Sequence, residues 1–467
     1  MIVKQKKMDK SINYKINLKT IFASASSLGL SAIKTIRISG KESKKIFRLL
    51  TKKKNLKARY YNLVKLFDIK DSSIIDKAVV IWFPKPKTYT GEDMLEIHIH
   101  GGNAVLQHLT KNLLSIENVK EAEAGEFTKR AFSNNKMDFL EAEAVNDLIN
   151  ADTKFQKKLA IQQLEGTLSN VLNNWNKKII KILAYYEGLI DFDESEVPKI
   201  TEKKIFKQVS DLIDEINIYL LENKRGEIIR NGIEVVVIGK PNVGKSSLIN
   251  QLLKRDVAIV SKISGTTRDI IESKFNLAGI PIILSDTAGL KKKIINSVEK
   301  KGILKAKTKI KKSNIKLLVL DIRKKIDDET LNLICDKTIV ILNKIDLVKK
   351  KELINKINSL SKNYNNKIYS ISAKKGSGII SLLENLENYI KLKYKDVFFG
   401  EPVLTKLRHR SYLKKCLFNL KKIKKNKQPE LNAEDLRLSL NALESVTGKY
   451  NVEKLLDIVF KDFCVGK

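Results

Sequence analysis

Cysteine and long apolar runs are both scarce in this sequence of 467 residues. The three cysteines, Cys335, Cys416 and Cys464, lie far apart and form no Cys-x-x-Cys pair or Cys/His cluster. This pattern argues against a disulfide framework and a structural zinc site, and it indicates a reducing compartment, the cytoplasm. The longest apolar runs, IEVVVIG and IKLLVLDI, have the length of strands, far short of the roughly 18 residues of a membrane-spanning helix. We therefore expect no membrane span.

Acidic residues are also in the minority, since 89 Lys and Arg face 53 Asp and Glu, for a formal net charge of +36. Such a charge suits a nucleic acid or an acidic membrane as partner. It is equally typical of a drift in composition, because the lysines are scattered along the whole chain together with Asn and Ile. The hydrophobic content of 43% excludes wholesale disorder.

The length predicts roughly three domains, and the residue pattern divides the chain into five segments. Residues 1–19 are basic but lack an apolar h-region and an arginine, so they make a poor targeting peptide and are expected to be a short disordered extension. Residues 20–125 are predicted to be mixed α and β, and residues 126–231 all helical. Residues 232–390 alternate short apolar strands with amphipathic helices, which indicates a parallel sheet of βαβ units. Residues 391–467 return to helix, so an α/β domain is expected inside a helical one.

Individual elements can be assigned within these segments. In the first folded segment the predicted strands are TIRISG, KAVVIWF and MLEIHIHGG, and AVLQHLTKNLL is a predicted helix. In the inserted segment the predicted strands are EVVVI, PIIL, KLLVL and TIVIL. The last segment has three predicted helices, SYLKKCLFNLKKIKK, AEDLRLSLNALESVTG and NVEKLLDIVFKDF. Asn432 is expected to cap the second of them, with Asp435 three residues on.

The run GKPNVGKSS at residues 239–247 fits the pattern G-x-x-x-x-G-K-[ST] and lies between the predicted strand EVVVI and the predicted helix KSSLINQLL. Glycines at these positions let backbone N–H groups curl around phosphate oxygens. Lys245 would neutralise the β/γ-phosphate charge, and Ser246 would offer its hydroxyl to Mg²⁺. The run therefore predicts a phosphate-binding loop.

Three more motifs follow in order along the same βα pattern. In PIILSDTAG, Asp286 and Gly289 end a strand, where an aspartate holds Mg²⁺ and a glycine N–H meets the γ-phosphate. Thr267 in SGTTRD is the candidate switch-loop threonine that closes on Mg²⁺. In VILNKID, the Asp346 carboxylate can accept hydrogen bonds from N1–H and the 2-amino group of guanine, a pair that adenine lacks. Together the motifs predict a guanine-nucleotide-binding domain.

The expected GTP site draws on these motifs and on SAK at 372–374, whose backbone N–H groups would support the base. Its residues are Asn242, Val243, Gly244, Lys245, Ser246, Ser247, Ser261, Lys262, Ile263, Ser264, Gly265, Thr266, Thr267, Asp286, Thr287, Ala288, Gly289, Asn343, Lys344, Asp346, Ser372, Ala373 and Lys374. Small signalling GTPases usually carry a Gln after DTAG to orient the attacking water, whereas this chain has Leu290. Hydrolysis is therefore either slow or dependent on another polar group and another positive charge.

Four further blocks are TIRISG, YTGEDMLEIHIHGG, AGEFTKRAFSNNKMDFLEAEAVNDLI and the terminal FCVGK. The GEFTKRAF block and the terminal CVGK are more specific than the GTPase motifs, which would fit many families. Together with those motifs, over about residues 20–467, the four blocks resemble the bacterial tRNA-modification GTPases of the MnmE/TrmE family. The resemblance implies a multidomain α+β and α/β fold. Its parts are an N-terminal α+β folate-binding domain that dimerises, a split all-helical domain and an inserted Ras-like P-loop GTPase domain.

The resemblance also implies a function and partners. The family forms a homodimer that joins an FAD-binding partner protein in a heterotetramer and acts on tRNA. The complex adds an aminomethyl-type group at C5 of the wobble uridine of certain tRNAs, using a one-carbon unit from a tetrahydrofolate. GTP, Mg²⁺, K⁺ and a tetrahydrofolate derivative are the implied cofactors.

Single residues can be matched to the family in the same way. The folate-contacting positions of the family match Arg37, Glu96, Lys136 and Lys467. Its Mg²⁺ ligands match Ser246 and Thr267, and its potassium site matches Asn242, Ser261, Ile263 and Thr266. Its catalytic glutamate matches Glu299. We therefore expect K⁺-stimulated hydrolysis in paired GTPase domains, with Glu299 orienting the water in place of the absent Gln.

Cys464 near the chain end is a second candidate catalytic residue. The preceding NVEKLLDIVFKDF is expected to be an apolar-faced helix that docks firmly and holds the end in place. Gly466 allows a turn there, and a thiol held beside Lys467 would carry more thiolate at neutral pH. We expect Cys464 to give acid–base or covalent help near the bound folate or uridine.

Two histidines are candidate metal ligands. His98 and His100 share a strand face with Glu96, because side chains two residues apart point the same way. No further ligand is evident nearby and His409 is remote in sequence, so structural histidines are expected rather than a metal site.

Two functions of other classes remain open from the residues. One is an RNA-binding ribosome-assembly GTPase, whose switch times binding without one-carbon chemistry. The other is a scaffold that uses its helices for partners and its GTPase as a clock. The N-terminal 120 residues and the CVGK end favour the modification enzyme, since an assembly factor is expected to carry a recognisable RNA-binding module after its GTPase domain.

Overall fold

The computed structural model describes residues 19–27, 29–55, 57–191, 202–222, 224–255, 272–286, 310, 313–364, 366–393, 404–425, 427–448, 463 and 466. Of the expected basic extension, residues 1–18 lie outside this set. The chain has mixed helix and sheet content and divides into two compact units. The first unit comprises Met1–Asn146, Leu164–Lys181 and Arg437–Lys467, and the second comprises Asp147–Gln163 and Ile182–Leu436.

Six strands form the sheet of the first unit: β1 (Thr20–Ser24), β2 (Ile33–Ser39), β3 (Asn62–Phe67), β4 (Ile74–Phe83), β5 (Met94–His100) and β6 (Val119–Glu121). Their order is β3-β4-β5-β2-β1-β6. Neighbouring strands are antiparallel, except that β6 runs parallel to β1. The strands predicted from TIRISG, KAVVIWF and MLEIHIHGG are confirmed as β2, β4 and β5.

Helices α1 (Ser43–Thr51) and α2 (Asn103–Leu114) supply the apolar side chains that cover one face of this sheet. Ile46, Phe47 and Leu50 of α1 recur at helical spacing and pack in one core cluster with residues of β2, β4 and β5. The helix predicted from AVLQHLTKNLL is confirmed as α2. The opposite sheet face carries the alternate side chains of β2 and β5, among them Arg37 and Glu96, which are partners in the strand register.

Residues 126–231 contain, where the structure describes them, six helices and no strand: α3 (Glu126–Ser133), α4 (Phe139–Ile149), α5 (Lys154–Leu164), α6 (Thr167–Asp191), α7 (Glu202–Glu222) and α8 (Lys224–Asn231). Helix α6 shows why the sequence folds this way, because Leu168, Leu172, Trp175 and Ile179 are buried at a spacing of three or four residues.

Across the described residues, no helix has both the length and the apolar character to cross a bilayer.

The second unit contains a sheet of six strands: β7 (Ile233–Ile238), β8 (Glu272–Leu277), β9 (Ile280–Asp286), β10 (Ile315–Asp321), β11 (Thr338–Asn343) and β12 (Ile368–Ile371). The order is β12-β11-β10-β7-β9-β8, and every pair is parallel except β8 with β9. Strands β7, β9, β10 and β11 confirm the predictions from EVVVI, PIIL, KLLVL and TIVIL.

Helices α9 (Lys245–Arg255), α10 (Asp328–Leu331), α11 (Lys350–Asn363) and α12 (Ile379–Lys393) follow the strands, with a 3₁₀ turn at Ile345–Leu347. The strands are apolar on both faces because each face is covered. Val235 and Val237 belong to one core cluster, and Val236 and Ile238 belong to another. The carboxyl ends of the five parallel strands consequently meet along one edge, which is where ligands bind in open α/β sheets.

Two helices complete the described chain, α13 (Leu407–Leu420) and α14 (Pro429–Thr447). The prediction that one helix continues through KKIKK is wrong, since α13 ends at Leu420 and turns follow. The prediction of Asn432 as a cap is also wrong. Helix α14 begins at Pro429, and the Asn432 side chain bonds the backbone of the preceding turn at Lys424 instead. The helix predicted from NVEKLLDIVFKDF lies outside the described residues, apart from Phe463.

Candidate functional site

The loop between β7 and α9 holds the phosphate-binding motif at the carboxyl edge of the second sheet. Three of its residues have positive φ, Gly239 at 145°, Asn242 at 62° and Gly244 at 99°. A Cβ on Gly239 would collide with the carbonyl oxygen of Val319, so glycine is required there by space as well as by backbone conformation. The loop leads directly into the N-terminus of α9, where backbone N–H groups favour an anion.

The Lys245 side chain folds back over this loop. It is 6% exposed, and its ammonium donates to the carbonyl oxygens of Gly239 at 2.9 Å and Lys240 at 2.8 Å. These contacts hold a positive charge at the mouth of the loop, as the sequence motif predicts for binding β- and γ-phosphates.

The Asn343 side chain ties three loops together. Its Nδ2 donates to the carbonyl oxygen of Val243 at 2.7 Å. Its Oδ1 accepts from the backbone N–H groups of Lys344 at 2.8 Å and Ala373 at 2.9 Å. A Cβ on Gly244 would collide with Nδ2 of Asn343, so the close approach of these loops also requires glycine at 244. The structure thereby joins the NKID motif to the phosphate loop and to the SAK segment.

The Lys344 side chain reaches the phosphate loop and is held there by Asp321, a residue to which the sequence analysis gave no role. Its ammonium donates to the carbonyl oxygen of Asn242 at 2.6 Å and to Oδ2 of Asp321 at 2.8 Å. Asp321 is the last residue of β10 and also accepts from Nε and Nη2 of Arg323 at 3.0 and 2.8 Å. These hydrogen bonds, above all those from Arg323, hold the pKa of Asp321 well below its usual range. The signal was present, because an aspartate ends the buried run KLLVLD at the same sheet edge.

Asp346 carries the carboxylate expected to recognise guanine. The hydroxyl of Ser372 donates to its Oδ1 at 2.6 Å, and this bond lowers the pKa of Asp346. Ser372 and Ala373 are buried at the end of β12, whereas Lys374 is exposed beside them. The carboxylate is therefore ionised at neutral pH and held in orientation, as acceptance of two N–H groups from a base requires.

Part of the expected nucleotide site cannot be followed in the fold. Asp286 is placed as the last residue of β9. The residues that lie outside the described set are Ser261, Lys262, Ile263, Ser264, Gly265, Thr266, Thr267, Thr287, Ala288, Gly289 and Glu299. Their roles stay predictions.

A second site lies on the face of the first sheet opposite α1 and α2. Nε of Arg37 donates to Oε1 of Glu96 at 3.0 Å, in an ion pair whose side chains are 17% and 20% exposed. Nη1 of Arg37 is 3.5 Å from the carbonyl oxygen of Gly466, which it reaches across 429 positions of sequence. Two of the four expected folate-contacting residues are thus brought together beside the chain end, which no local pattern reveals.

Gly466 is seated tightly at this place. Its φ is 102°, and a Cβ there would collide with the carbonyl oxygen of Ser24 at the end of β1. The fold therefore requires glycine at position 466. Cys464 and Lys467, the neighbouring residues with expected roles, lie outside the described residues.

Aromatic rings flank the Arg37 guanidinium. The ring centroids of Tyr89 and Phe127 lie 5.6 and 6.0 Å from its Cζ. The Tyr89 hydroxyl is 2.8 Å from the hydroxyl of Thr128, and burial raises the pKa of Tyr89, so this phenol stays neutral. An ion pair with a partly open carboxylate beside aromatic rings suits a flat heterocycle that carries N–H donors.

Lys136 is exposed and donates to the carbonyl oxygen of Pro86 at 3.2 Å. It makes no hydrogen bond or ion pair with Arg37 or Glu96. Sequence reasoning gave no role to Arg130 of the GEFTKRAF block, which is 2% exposed. Its guanidinium bonds Glu92 at 3.0 Å and Glu126 at 2.9 Å, so it fixes the segment that carries Tyr89 and Phe127.

Histidines and cysteines take ordinary positions. His98 lies 4.0 Å from Glu96, and His100 pairs with Asp76 at 2.7 Å. Among the described residues no group of three or more His, Cys, Asp or Glu side chains is arranged to hold a metal ion. Cys416 is buried in α13, and burial raises its pKa to about 12, so it acts as a small apolar residue. Cys335 is a free, exposed thiol.

Two family models match most of the chain. The family model for the "GTP-binding protein TrmE N-terminus" matches residues 20–136, and the "MnmE helical domain" model matches residues 139–464. A "tRNA modification GTPase MnmE" from Rickettsia rickettsii (strain Sheila Smith) is 41% identical over 455 residues, which cover 96% of this chain and 100% of that protein. A protein of the same name from Rickettsia conorii (strain ATCC VR-613 / Malish 7) is 40% identical over 455 residues with the same coverage.

Among solved structures, the G domain of the T. maritima FeoB iron transporter is 25% identical, covering 35% of this chain and 98% of that chain. Its TM-score of 0.26 is too low to support an argument. The helical-domain model matches well over half of the chain, and relatives 40% and 41% identical span nearly all of it. The chain therefore belongs to the family of MnmE tRNA modification GTPases.

Proposed function

We propose that the chain is the GTP-hydrolysing subunit of a tRNA-modifying complex. With an FAD-binding partner, it adds an aminomethyl-type group at C5 of the wobble uridine, using a one-carbon unit from tetrahydrofolate. The observation that carries the proposal is the meeting of Arg37, Glu96 and Gly466 on the first sheet, in a chain whose second unit carries a guanine-nucleotide site. The name of the relatives, tRNA modification GTPase, supports tRNA as the substrate.

At the nucleotide site, Asp346 accepts from guanine while Ser372 orients it, and Lys245 neutralises the phosphates. Ser246 and Thr267 are the proposed Mg²⁺ ligands, with Asp286 at the neighbouring strand end. Bound Mg²⁺ would neutralise charge that develops on the β- and γ-oxygens.

Hydrolysis needs a further charge and a group that orients water. For the charge we assign K⁺ to Asn242, Ser261, Ile263 and Thr266. Asn242 lies on the phosphate loop with positive φ, and Lys344 donates to its carbonyl oxygen. Glu299 orients the attacking water, and the GTPase domains of a homodimer pair during turnover.

The residues at the second site fit a folate. The Glu96 carboxylate, partly exposed and paired with Arg37, can accept N–H groups of a pterin, and the rings of Tyr89 and Phe127 give it apolar walls. Lys136 and Lys467 are the proposed partners of the glutamate tail. When bound, tetrahydrofolate supplies the one-carbon unit, while this chain orients it and Cys464 gives acid–base or covalent help.

The test uses a deletion strain whose tRNA nucleosides are analysed by mass spectrometry. Wild-type protein and the control Glu117→Gln, an exposed carboxylate in the same unit, should restore the modified wobble uridine, whereas Glu96→Gln should not. GTP turnover of Glu96→Gln should match wild type, which separates a lost folate contact from a misfolded chain. Wobble uridines that are unchanged by the deletion would contradict the proposal and favour an assembly GTPase.

A further inference from the structure

A long stretch of the second unit contains no acidic residue. Residues 402–429 carry ten Lys and Arg and no Asp or Glu. Six of these lysines, together with one aromatic residue, form what we call the lysine face: Lys414, Lys415, Phe418, Lys421, Lys422, Lys424 and Lys425. All seven are exposed. The stretch at residues 43–67 of the first unit is similarly basic.

Along α13 the helical period places the apolar residues on a buried side and the lysines on an exposed side. Leu413, Cys416, Leu417 and Leu420 are buried on one side. Lys414, Phe418 and Lys422 follow at intervals of four on the other side, so they form one row along the helix and the turn that follows it. At 1.5 Å per residue the row spans about 12 Å, which matches three to four phosphate steps along one nucleic-acid strand.

The turn that ends the helix is held in a fixed shape. Backbone N–H groups of Lys421 and Lys422 donate to Leu417 at 3.1 Å and Asn419 at 3.0 Å. The Asn432 side chain, 1% exposed, accepts from the N–H of Lys424 at 3.2 Å and donates to its carbonyl oxygen at 3.0 Å. The lysines are therefore presented from a pre-organised backbone, which lowers the entropic cost of binding.

The charges of the lysine face are not neutralised within the described part of the chain. None of its six ammonium groups forms an ion pair there, whereas nearby Lys427 pairs with Asp435 and Arg410 pairs with Glu227. Six like charges on one short surface repel one another, and a polyanion relieves that repulsion and releases its own counterions.

The exposed ring of Phe418 indicates which class of polyanion the lysine face binds. It is 63% exposed, and the ammonium of Lys422 lies 4.4 Å from its ring centroid. An exposed ring between lysines is the combination that binds RNA, where bases stack on aromatic rings and phosphates meet ammonium groups. An anionic membrane would instead require a broad apolar face. The side of α13 that carries Phe418 is not broadly apolar, since it also carries Ser411 and Asn419.

We propose that the lysine face binds the tRNA substrate, with its lysines on phosphates and Phe418 stacked on an unpaired base. The proposal deepens the function argued above, since it takes tRNA from there as the RNA. A measurement of binding keeps the two apart. Loss of the wobble modification on gene deletion tests the function, whereas tRNA affinity of the purified chain tests the surface.

The experiment measures binding of labelled tRNA transcript to the full chain between about 50 and 200 mM salt. The variant Lys414/Lys415/Lys421/Lys422→Gln should weaken binding at least about tenfold and lower the salt slope by about three to four, because each phosphate contact contributes roughly 0.9. GTP turnover should stay at the wild-type rate.

The first unit offers a matched control. Residues 43–67 carry nine Lys and Arg and no acidic residue, but they include β3, an edge strand of its sheet, where lysines also serve to block pairing with other chains. Lys44/Lys53/Lys54/Lys65→Gln removes the same charge from exposed positions and should change tRNA affinity less than about threefold. An equal loss of tRNA affinity in both variants would overturn the proposal. The effect would then depend on the total charge and not on where the lysines lie.

Phe418→Ala should weaken binding about fivefold or more, with Phe418→Tyr close to wild type, because stacking needs only a ring. Leu392→Ala, which truncates a side chain 73% exposed on α12, is the apolar control and should have no effect. Vesicles rich in phosphatidylglycerol form the last arm. If the lysine variant keeps its tRNA affinity and loses only vesicle binding, the surface is a membrane site and the proposal is wrong.

Discussion

Asp321 is the buried carboxylate on which Lys344 rests, and its replacement by Asn removes one negative charge without changing shape. The side chain of Asp321 is 0% exposed, and it accepts from Lys344 at 2.8 Å and from two nitrogens of Arg323. A hydrogen bond to a charged group contributes about 1.5–3 kcal/mol. Because the amide oxygen still accepts one of these bonds and Arg323, 45% exposed, regains water, we expect Asp321→Asn to cost about 2 kcal/mol of unfolding free energy.

Nucleotide affinity should fall as well, since Lys344 also holds the Asn242 carbonyl of the phosphate loop. We expect the Kd for GDP to rise roughly ten- to thirtyfold, equivalent to about 1.4–2 kcal/mol. Asp327→Asn is the matched control, because Asp327 pairs with Lys240 at 2.5 Å with both side chains substantially exposed. That variant should bind within about twofold of wild type.

Urea unfolding and titration with a fluorescent GDP measure the two effects. The pH dependence gives a further check. Because its hydrogen bonds lower the pKa of Asp321, its contribution to stability is fully present above the unfolded pKa of about 3.9 and is lost as pH falls through the lower folded pKa. Below about pH 4, the unfolding free energy of Asp321→Asn should therefore fall less steeply with decreasing pH than that of the wild type. A Kd within twofold of wild type would refute the anchoring role of Asp321.

Three further predictions concern GTP hydrolysis and the end of the chain. Steady-state GTP turnover should be much faster in K⁺ than in Na⁺, because K⁺ at Asn242 replaces an arginine finger; equal rates would contradict this. Glu299→Ala should keep GTP affinity and lose hydrolysis in a phosphate-release assay, and normal turnover would show that the assignment is wrong. Cys464→Ser should leave folding, GTP hydrolysis and tRNA binding nearly intact yet fail to restore the modified nucleoside in a deletion strain; restoration would reduce this cysteine to packing.

Strands β7, β9, β10 and β11 of the second sheet were predictable because they are buried on both faces. In EVVVI the four residues after Glu234 are all apolar, and the turn residues of GKPNVGK end the run sharply. Strand β12 was missed, since IYSI is only partly buried and alternates weakly. Short β1 and β6 were missed too, because each depends on the other for a parallel pairing that joins residues about a hundred positions apart.

The candidate sites divide in the same way. The nucleotide motifs are local, so spacing alone identified Lys245, Asn343 and Asp346. The pairing of Arg37 with Gly466 depends on tertiary folding, and only the resemblance to a family pointed to that place. The end of α13 at Leu420 was misjudged because KKIKK keeps the helical period. Periodicity does not register that the Asn432 amide binds the backbone at Lys424 and holds a turn there.

The Asn343 amide has a consequence for how the second unit loses its order. Because this one side chain bonds the backbones of Val243, Lys344 and Ala373, a local opening that frees one loop also removes a partner from the other two. Backbone amides of all three loops should then exchange with solvent as one cooperative unit. Binding of a base therefore also orders the phosphate loop, although the base itself does not contact that loop. Guanosine alone, lacking any phosphate, should therefore slow hydrogen exchange in the loop around Gly244.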